Sequence, residues 1–408
     1  MAAPPLHVIV VGAGLVGLAA GLALRRAGHH VDIYERSHFA HEVGAAISCS
    51  PNATRILLSL RCDPKRFRGV EHLQDQTDED RPFVTNTDLK SKYGAPYYMC
   101  HRVDLHVELK YLATETDGDG RPCVLHLGTG VSALDSEYAS ITLVDGTVVT
   151  GDLVIGADGI NSSIRRFVLE EDINPRPCGF SCFRTVIPFD EVARHPSLSW
   201  VTTNPKAMGL VWHERRALVL YPCRDGTLLN FAGNHPDRRT NEEVQLNINA
   251  PSSKEDFLDT FSDYAPRYKE LINLSRDVTL WPFLIWDSLP TWVNQRSCLI
   301  GDAAHAMFPM LGQGGAQGFE DIVTLGILFP LGTSKDSGTI ASRLKLFESL
   351  RKPRASEIQD MSNRIGKGLP ILRIDDELEK QLYGYNAADV ARKALAAELT
   401  DIKALLRD

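Results

Sequence analysis

The sequence predicts an α/β fold: a parallel-sheet domain of strand–turn–helix units, an antiparallel β-sheet inserted into it, and a helical C-terminal part. Three observations carry this. An apolar, β-branched run from Leu6 to Val11 leads directly into Gly12-Ala13-Gly14-Leu15-Val16-Gly17 and a helical stretch. From about residue 178 the strand patterns alternate instead of running continuously apolar, as antiparallel strands do. Residues 298–329 then return to the strand–turn–helix style, with Gly301-Asp302-Ala303-Ala304-His305 after the apolar Cys298-Leu299-Ile300. The predicted boundaries are 1–75, 96–177 and 275–340 for the first domain, 76–95 and 178–274 for the insert, and 341–408 for the C-terminal helices.

Along the chain, Leu6 to Val11 reads as a buried parallel strand. Leu15 to Ala27 reads as a helix closed by Gly28, and His30 to Tyr34 as a second strand, completing a βαβ unit. Residues 74–95 open with Gln74-Asp75-Gln76-Thr77-Asp78-Glu79-Asp80 and read as a polar loop leaving the domain. Leu105 to Ala113 is expected to be helical. Val124 to Leu127, Ser140 to Val144 and Val148 to Thr150 are expected strands, with Asp145-Gly146 as a hairpin turn. A short strand, Leu153 to Ile155, ends at Gly156-Ala157-Asp158-Gly159. Phe180 to Ile187, Met208 to His213, Ala217 to Tyr221 and Leu228 to Ala232 make the alternating sheet, and Lys254 to Leu274 a helix. Beyond Ser342 the chain is mostly helical, and Leu395, Leu399, Ile402 and Leu406 form a stripe expected to pack on its own domain, the alternative being a second copy of the chain.

The 408 residues suffice for two domains, and 43% hydrophobic with 24% charged residues is the balance of a globular protein. A net charge of −8 argues against nucleic acid as a partner. No apolar run is long enough to cross a bilayer. The first residues, Met1-Ala2-Ala3-Pro4-Pro5, lack a basic start, so a strand rather than a signal peptide is expected, and with it a cytoplasmic location. The 8 cysteines contain no C-x-x-C pair, so reduced thiols are expected and neither zinc nor another metal.

The first glycine turn has a specific chemistry. Gly12 permits the tight turn, Gly14 lets backbone approach a pyrophosphate, and Gly17 lets the helix pack close to the sheet. The helix N-terminus offers N–H groups and a positive dipole end to phosphates. Glu35, at the end of the second strand, suits a ribose diol and would repel a 2′-phosphate; Arg36 beside it suits the adenine surface. A second dinucleotide-contacting turn nearly at residue 300 implies a long ligand gripped at both ends, and FAD is such a ligand. An NAD dehydrogenase would explain Gly12 to Glu35 but leave Asp302 and the following glycine run without a purpose.

Four stretches in order give a family likeness: Gly12 to Gly17 with Glu35, His101 to His106, Asp152 to Arg165, and Gly301 to Asp321. From about Leu6 to Asn363 the chain resembles the single-component (group A) FAD-dependent aromatic hydroxylases, in the salicylate hydroxylase-like branch that includes fungal phenol-dearomatising monooxygenases. The resemblance implies a Rossmann-like FAD-binding domain with a p-hydroxybenzoate hydroxylase-like insert. It implies that Arg102 contacts FAD, although Arg102 could instead pair with Asp104. It links Asp158 to FAD and the nicotinamide cofactor, the alternative being a plain strand-end turn. Asp302 would hydrogen-bond the ribityl chain, and Pro309 would lie against the isoalloxazine ring. Gly312, Gly314, Gly315 and Ala316 would bring N–H groups to the flavin pyrimidine edge. Gly44-Ala45-Ala46-Ile47 would pass along the flavin, or be a plain loop. NADPH or NADH would bind transiently, since there is no second G-x-G-x-x-G. Gln317 stands where the family often has Asn.

The implied reaction uses dioxygen and a flavin C4a-hydroperoxide to oxidise a phenolic or related small aromatic substrate, the protein orienting the ring and excluding water. A phenol reacts faster as phenolate, so a cation or donor near its oxygen is expected. Arg184 alternates with Phe180 and Cys182 on one strand face, and Tyr221 with Ala217 and Val219 on another. In the dearomatising relatives an arginine and a tyrosine on corresponding strands hold the phenolate. The alternatives are a salt bridge from Arg184 to Asp190 or Glu191, and a core role for Tyr221. His213 is a base or a structural residue. Trp281, Phe283, Trp286 and Trp292 line a pocket or fill a core. Rival functions are an indole or alkene epoxidase and a non-catalytic FAD-binding protein. A halogenase is disfavoured by the lack of W-x-W-x-I-P.

Overall fold

A computed structural model of the protein describes residues 4–38, 46–78, 82–246, 252–364 and 374–405. Six strands make the first sheet: β1 (His7–Val11), β2 (His30–Glu35), β7 (Val124–Leu127), β8 (Leu153–Gly156), β14 (Val293–Asn294) and β15 (Ser297–Leu299). Their order is β14-β15-β8-β1-β2-β7, parallel except between β14 and β15. Val10 lies between Ile155 and Ile33, and all three side chains are buried. The continuous apolar runs exist because helices cover them. Helices α1 (Leu15–Arg26), α3 (Arg102–Thr114) and α6 (Gly314–Leu328) pack together against this sheet's core.

The inserted sheet has seven strands: β4 (Gln74–Asp78), β5 (Pro82–Asn86), β9 (Arg176–Pro188), β10 (Ala207–His213), β11 (Arg216–Cys223), β12 (Leu228–Pro236) and β13 (Thr279–Ile285). Their order is β13-β9-β12-β11-β10-β4-β5. Two sequence expectations change here. The polar residues after Gln74 are a strand pair, not a loop: β4 runs parallel to β10 and pairs with β5. Their polarity suits strands at the margin of a sheet. The boundary at 275 also moves, because β13 pairs with β9 rather than joining the first sheet.

The two faces of the inserted sheet differ. On one, Phe183, Ile187, Leu218, Leu220 and Phe231 meet Phe257, Phe261 and Leu271 of the covering helices. Those helices are α4 (Lys254–Thr260) and α5 (Pro266–Leu274). They are one predicted helix broken in two, because Pro266 starts a new first turn where its missing N–H costs nothing. The other face turns toward the first domain.

A small antiparallel piece, β3 (Ala46–Cys49) and β6 (Tyr98–His101), joins the two domains with helix α2 (Pro51–Ser59) behind it. The C-terminal part comprises α7 (Ser337–Ser362), α8 (Asp376–Tyr383) and α9 (Ala387–Leu405). Leu395 packs on the first domain's core while Leu399 is exposed, so the expected stripe is only half used; the side chains of Ile402 and Leu406 lie outside the described residues. No described helix is long and apolar enough to cross a membrane. All 8 cysteines are buried and free.

Candidate cofactor and substrate site

The fingerprint turn is built from backbone. Gly12 has φ +102°, and a Cβ there would lie 2.5 Å from the Ala157 carbonyl oxygen. A Cβ on Gly17 would lie 1.9 Å from the Gly12 carbonyl oxygen. Both positions therefore require glycine. Gly14 faces open space and stands at the N-cap of α1, where no side chain caps the first-turn N–H groups. That open, uncapped end is what a pyrophosphate needs. Glu35 accepts the Ala13 N–H at 2.8 Å and the Ser37 N–H at 2.8 Å, which fixes its carboxylate at the edge of the same cradle. His106 of α3 reaches the Ala13 carbonyl at 2.8 Å. The α3 N-terminus, which carries Arg102, is thereby held beside the cradle. Arg102 is exposed, and Asp104 is not its partner: that carboxylate takes two 2.8 Å bonds from Arg224. Arg36 is exposed just past β2.

At the second turn, Asp158 accepts from the Ser163 and Ile164 N–H groups through one oxygen, while its other oxygen, Oδ1, is buried with no partner. An orphaned carboxylate oxygen beside a phosphate cradle fits a sugar or water-linked donor. Arg165, 2% exposed, locks this turn to the next. Its guanidinium donates to the carbonyls of Gly159, Ile160, Asp302 and Ala303 and lies 3.7 Å over the Trp286 ring. Burial pulls its pKa down to about 10, against the pull of Asp158 and Asp302, so it remains a cation at neutral pH.

Asp302 begins a one-turn helix after Gly301, and its side chain is exposed. Pro309 is exposed at the start of a 3-10 turn that ends at Gly312 with φ +62°. Gly314, Gly315 and Ala316 form the first turn of α6, again without a side-chain cap. A Cβ on Gly314 would meet only Met307, at 3.9 Å. Two uncapped helix ends, two carboxylates and an exposed proline thus line one open margin, and these residues fit FAD. Ala46 begins β3; Gly44 and Ala45 lie outside the described residues. No group of three metal-binding side chains occurs among the described residues.

The underside of the α6 turn was not legible in the sequence. Glu320 and Asp321 are fully buried on α6, with Arg351 of α7 between them. Arg351 bonds Glu320 at 2.8 Å and Asp321 at 2.9 Å, and donates to the Gln317 side chain at 2.8 Å. Gln317 is thereby explained: its longer amide reaches Arg351 on one side and Gln313 on the other. Burial would raise the Glu320 carboxyl, but Arg351 and Arg354 outweigh it and hold it below the usual carboxylate range. For Asp321, burial is likewise outweighed, by His305 and Arg351.

On the substrate side, Cys182, Arg184, Val219 and Tyr221 share the sheet face turned toward the first domain. Arg184 registers with Ala232, and Ala232 with Val219, so Arg184 and Tyr221 stand two strands apart, about 10 Å across the sheet and about 7 Å along it. The salt-bridge alternative for Arg184 is overturned: Asp190 pairs with Arg194, and Glu191 with Arg276 at 2.7 Å. Its described neighbours are the Trp281 ring, 5.6 Å away, and the Cys182 thiol. Tyr221 is 7% exposed and packs with Tyr97, Leu311, Met307 and Tyr383. Burial, reinforced by Tyr97, drives its hydroxyl pKa well up, against Arg184. Phe308 packs on Phe180 and Phe283 of this same face. The flavin-side loop and the Arg184 face therefore meet. Tyr383, from α8, was not foreseen as part of this wall. Trp286 and Trp292 are core, as is Phe283, while Trp281 borders the face. His213 is a surface residue 3.3 Å from Asp263, away from the site.

Comparisons with known proteins give the family and the fold. A family model described as FAD binding domain matches residues 5–362. Hispidin-3-hydroxylase of Neonothopanus nambi is 41% identical over 366 residues, 86% of this chain and 86% of that one. The FAD-dependent monooxygenase cfoG of Aspergillus candidus is 36% identical over 375 residues, 88% of this chain and 85% of its own. A solved salicylate hydroxylase substrate complex shares the fold, with TM-score 0.77 at 23% identity, covering 96% of this chain and 98% of that one. The chain belongs to the FAD-binding domain family of flavin-dependent monooxygenases.

Proposed function

We propose that the protein hydroxylates a phenolic small molecule held as its phenolate by Arg184 and Tyr221. FAD, reduced by NAD(P)H, supplies the electrons and activates dioxygen. The chain's own contribution is binding and orientation. Arg184 gives the phenol oxygen a charge-assisted hydrogen bond, which lowers that phenol's pKa and enriches the ring in electron density. Tyr221, its own pKa raised, keeps its proton at neutral pH and donates it in a hydrogen bond to the same oxygen. Phe180, Phe308 and Met310 close the space with apolar surface and keep water away from the reacting ring. Asp158, Asp302 and Glu35 would bind the hydroxyl groups of FAD, and the α1 end its pyrophosphate.

One observation carries this reading: a half-buried arginine with no carboxylate beside it among the described residues, on an apolar face that meets the flavin-side loop. A cation in such surroundings calls for an anion. The names of the relatives support a hydroxylated aromatic substrate. Arg184→Ala is expected to lower the rate of product formation about 100-fold at saturating phenol, with flavin content unchanged. The check is hydroxylated product per NAD(P)H consumed, over a panel of phenols and phenolic acids. Normal coupled turnover by that variant would refute the clamp. An alkene or indole oxide as the product would favour epoxidation instead.

A further inference from the structure

Gln313 occupies the N-cap of α6, yet its side chain does not cap. Its amide turns away from the helix end and donates to the Ser50 hydroxyl at 3.0 Å. Its carbonyl oxygen accepts from Asn52 at 3.0 Å. Ser50 is the N-cap of α2 and does not cap either; its hydroxyl donates to Asn52 Oδ1 at 2.7 Å. Asn52, 1% exposed, also donates to Glu320 at 2.8 Å. Two helices thus leave their first-turn N–H groups uncapped while the residues at their caps bind each other.

The same bonds continue to the other flavin-side turn. Glu320 is bridged by Arg351 to Asp321, and Asp321 accepts the Gly301 N–H at 3.0 Å and His305 at 2.7 Å. Asn52 and Gln313 therefore stand at one end of a continuous buried chain. The turn bearing Asp302 stands at the other. Arg354 adds a second cation on Glu320. The two carboxylates and the two guanidinium groups balance in charge.

We infer that Asn52 and Gln313 are positioning residues for the cofactor: they hold the first turn of α6 in register with the Asp302 turn and so favour reduced over oxidised FAD. This rests on the reading that α6 points its N-terminus at the flavin pyrimidine edge. Reduction places negative charge on that edge, and backbone N–H groups aimed at it bind the reduced form more strongly. Those donors are main-chain groups that no substitution removes. Their aim depends on what holds the turn, and Asn52 and Gln313, being uncharged amides, act on aim rather than on field.

The test is Asn52→Leu, which keeps the branched heavy-atom shape and removes both amide functions. Three quantities are read: the reduction potential of bound flavin against a reference dye, the FAD dissociation constant of the apoprotein, and the melting temperature. Binding of reduced FAD should weaken about tenfold more than binding of oxidised FAD, lowering the potential by about 30 mV for two electrons. Arg25→Ala is the structural control. Arg25 is a buried arginine that donates only to main-chain carbonyls, near the far end of α1. It should lower the melting temperature and leave the potential unchanged. A potential in Asn52→Leu no lower than in Arg25→Ala overturns the inference. Gly314→Val separates the two failures. If it alters neither FAD affinity nor potential, α6 does not face the flavin and the reading beneath the inference falls. If it shifts the potential while Asn52→Leu does not, the inference alone falls.

Discussion

The two ends of the nucleotide site are built by different means. At the fingerprint end, Gly12 and Gly17 act by lacking side chains, close main-chain approaches shape the turn, and Glu35 and His106 add one side-chain bond each to Ala13. At the flavin end, the glycine turn of α6 rests on charged and polar side chains that come from α2, α6, their N-caps and α7. The first is local and rigid by sterics. The second is assembled from distant segments and rigid by buried charge pairing. Damage should therefore show differently at each end.

The largest effect is expected at the flavin end. Arg351→Met leaves Glu320 and Asp321 buried with one cation fewer, which costs about 3–5 kcal/mol of stability. The melting curve of the apoprotein measures it. A loss below about 1 kcal/mol would mean that the network is decorative. At the fingerprint end, Gly17→Ala forces a methyl against the Gly12 carbonyl and should cost about 1–3 kcal/mol. Here the damage should fall on FAD retention, measured by flavin content after gel filtration, more than on folding.

Acid should reveal the same contrast more gently. The Glu320 and Asp321 carboxyls are held below their unfolded values, so the stability they contribute is complete above about pH 5 and is lost as pH falls through the unfolded and then the folded values. Hydrogen exchange near pH 3 should open the first turn of α6 before that of α1. The reverse order would remove the distinction.

This contrast also explains what the sequence revealed. Gly12, Gly14, Gly17 and Glu35 are legible because their chemistry is set by neighbours within one supersecondary unit. Asp302 and the Gly312–Ala316 turn are legible because a strand ends there and small residues follow. Arg184 and Tyr221 could be placed on sheet faces by period-two alternation. Arg351 could not be found: it lies in a charged helix between Leu350 and Lys352, and nothing local separates a buried arginine from a solvated one. Asn52 and Glu320 meet across 268 positions, a pairing that tertiary structure alone creates. Arg165 gave a weak signal as the last residue of a matched stretch, but its ties to Asp302 and Ala303 did not. The strand pair after Gln74 was obscured because its first strand, Gln74 to Asp78, is polar at every position. Tyr383 was hidden by its distance from every motif.

One FAD is proposed to span both ends, with Asp302 gripping the flavin half alone. Calorimetric titration of the Asp302→Ala apoprotein with FAD and, separately, with ADP tests this most directly. FAD affinity should fall about tenfold, the worth of one charged hydrogen bond, while ADP affinity matches wild type. Unchanged FAD affinity, or an equal loss for ADP, would contradict it.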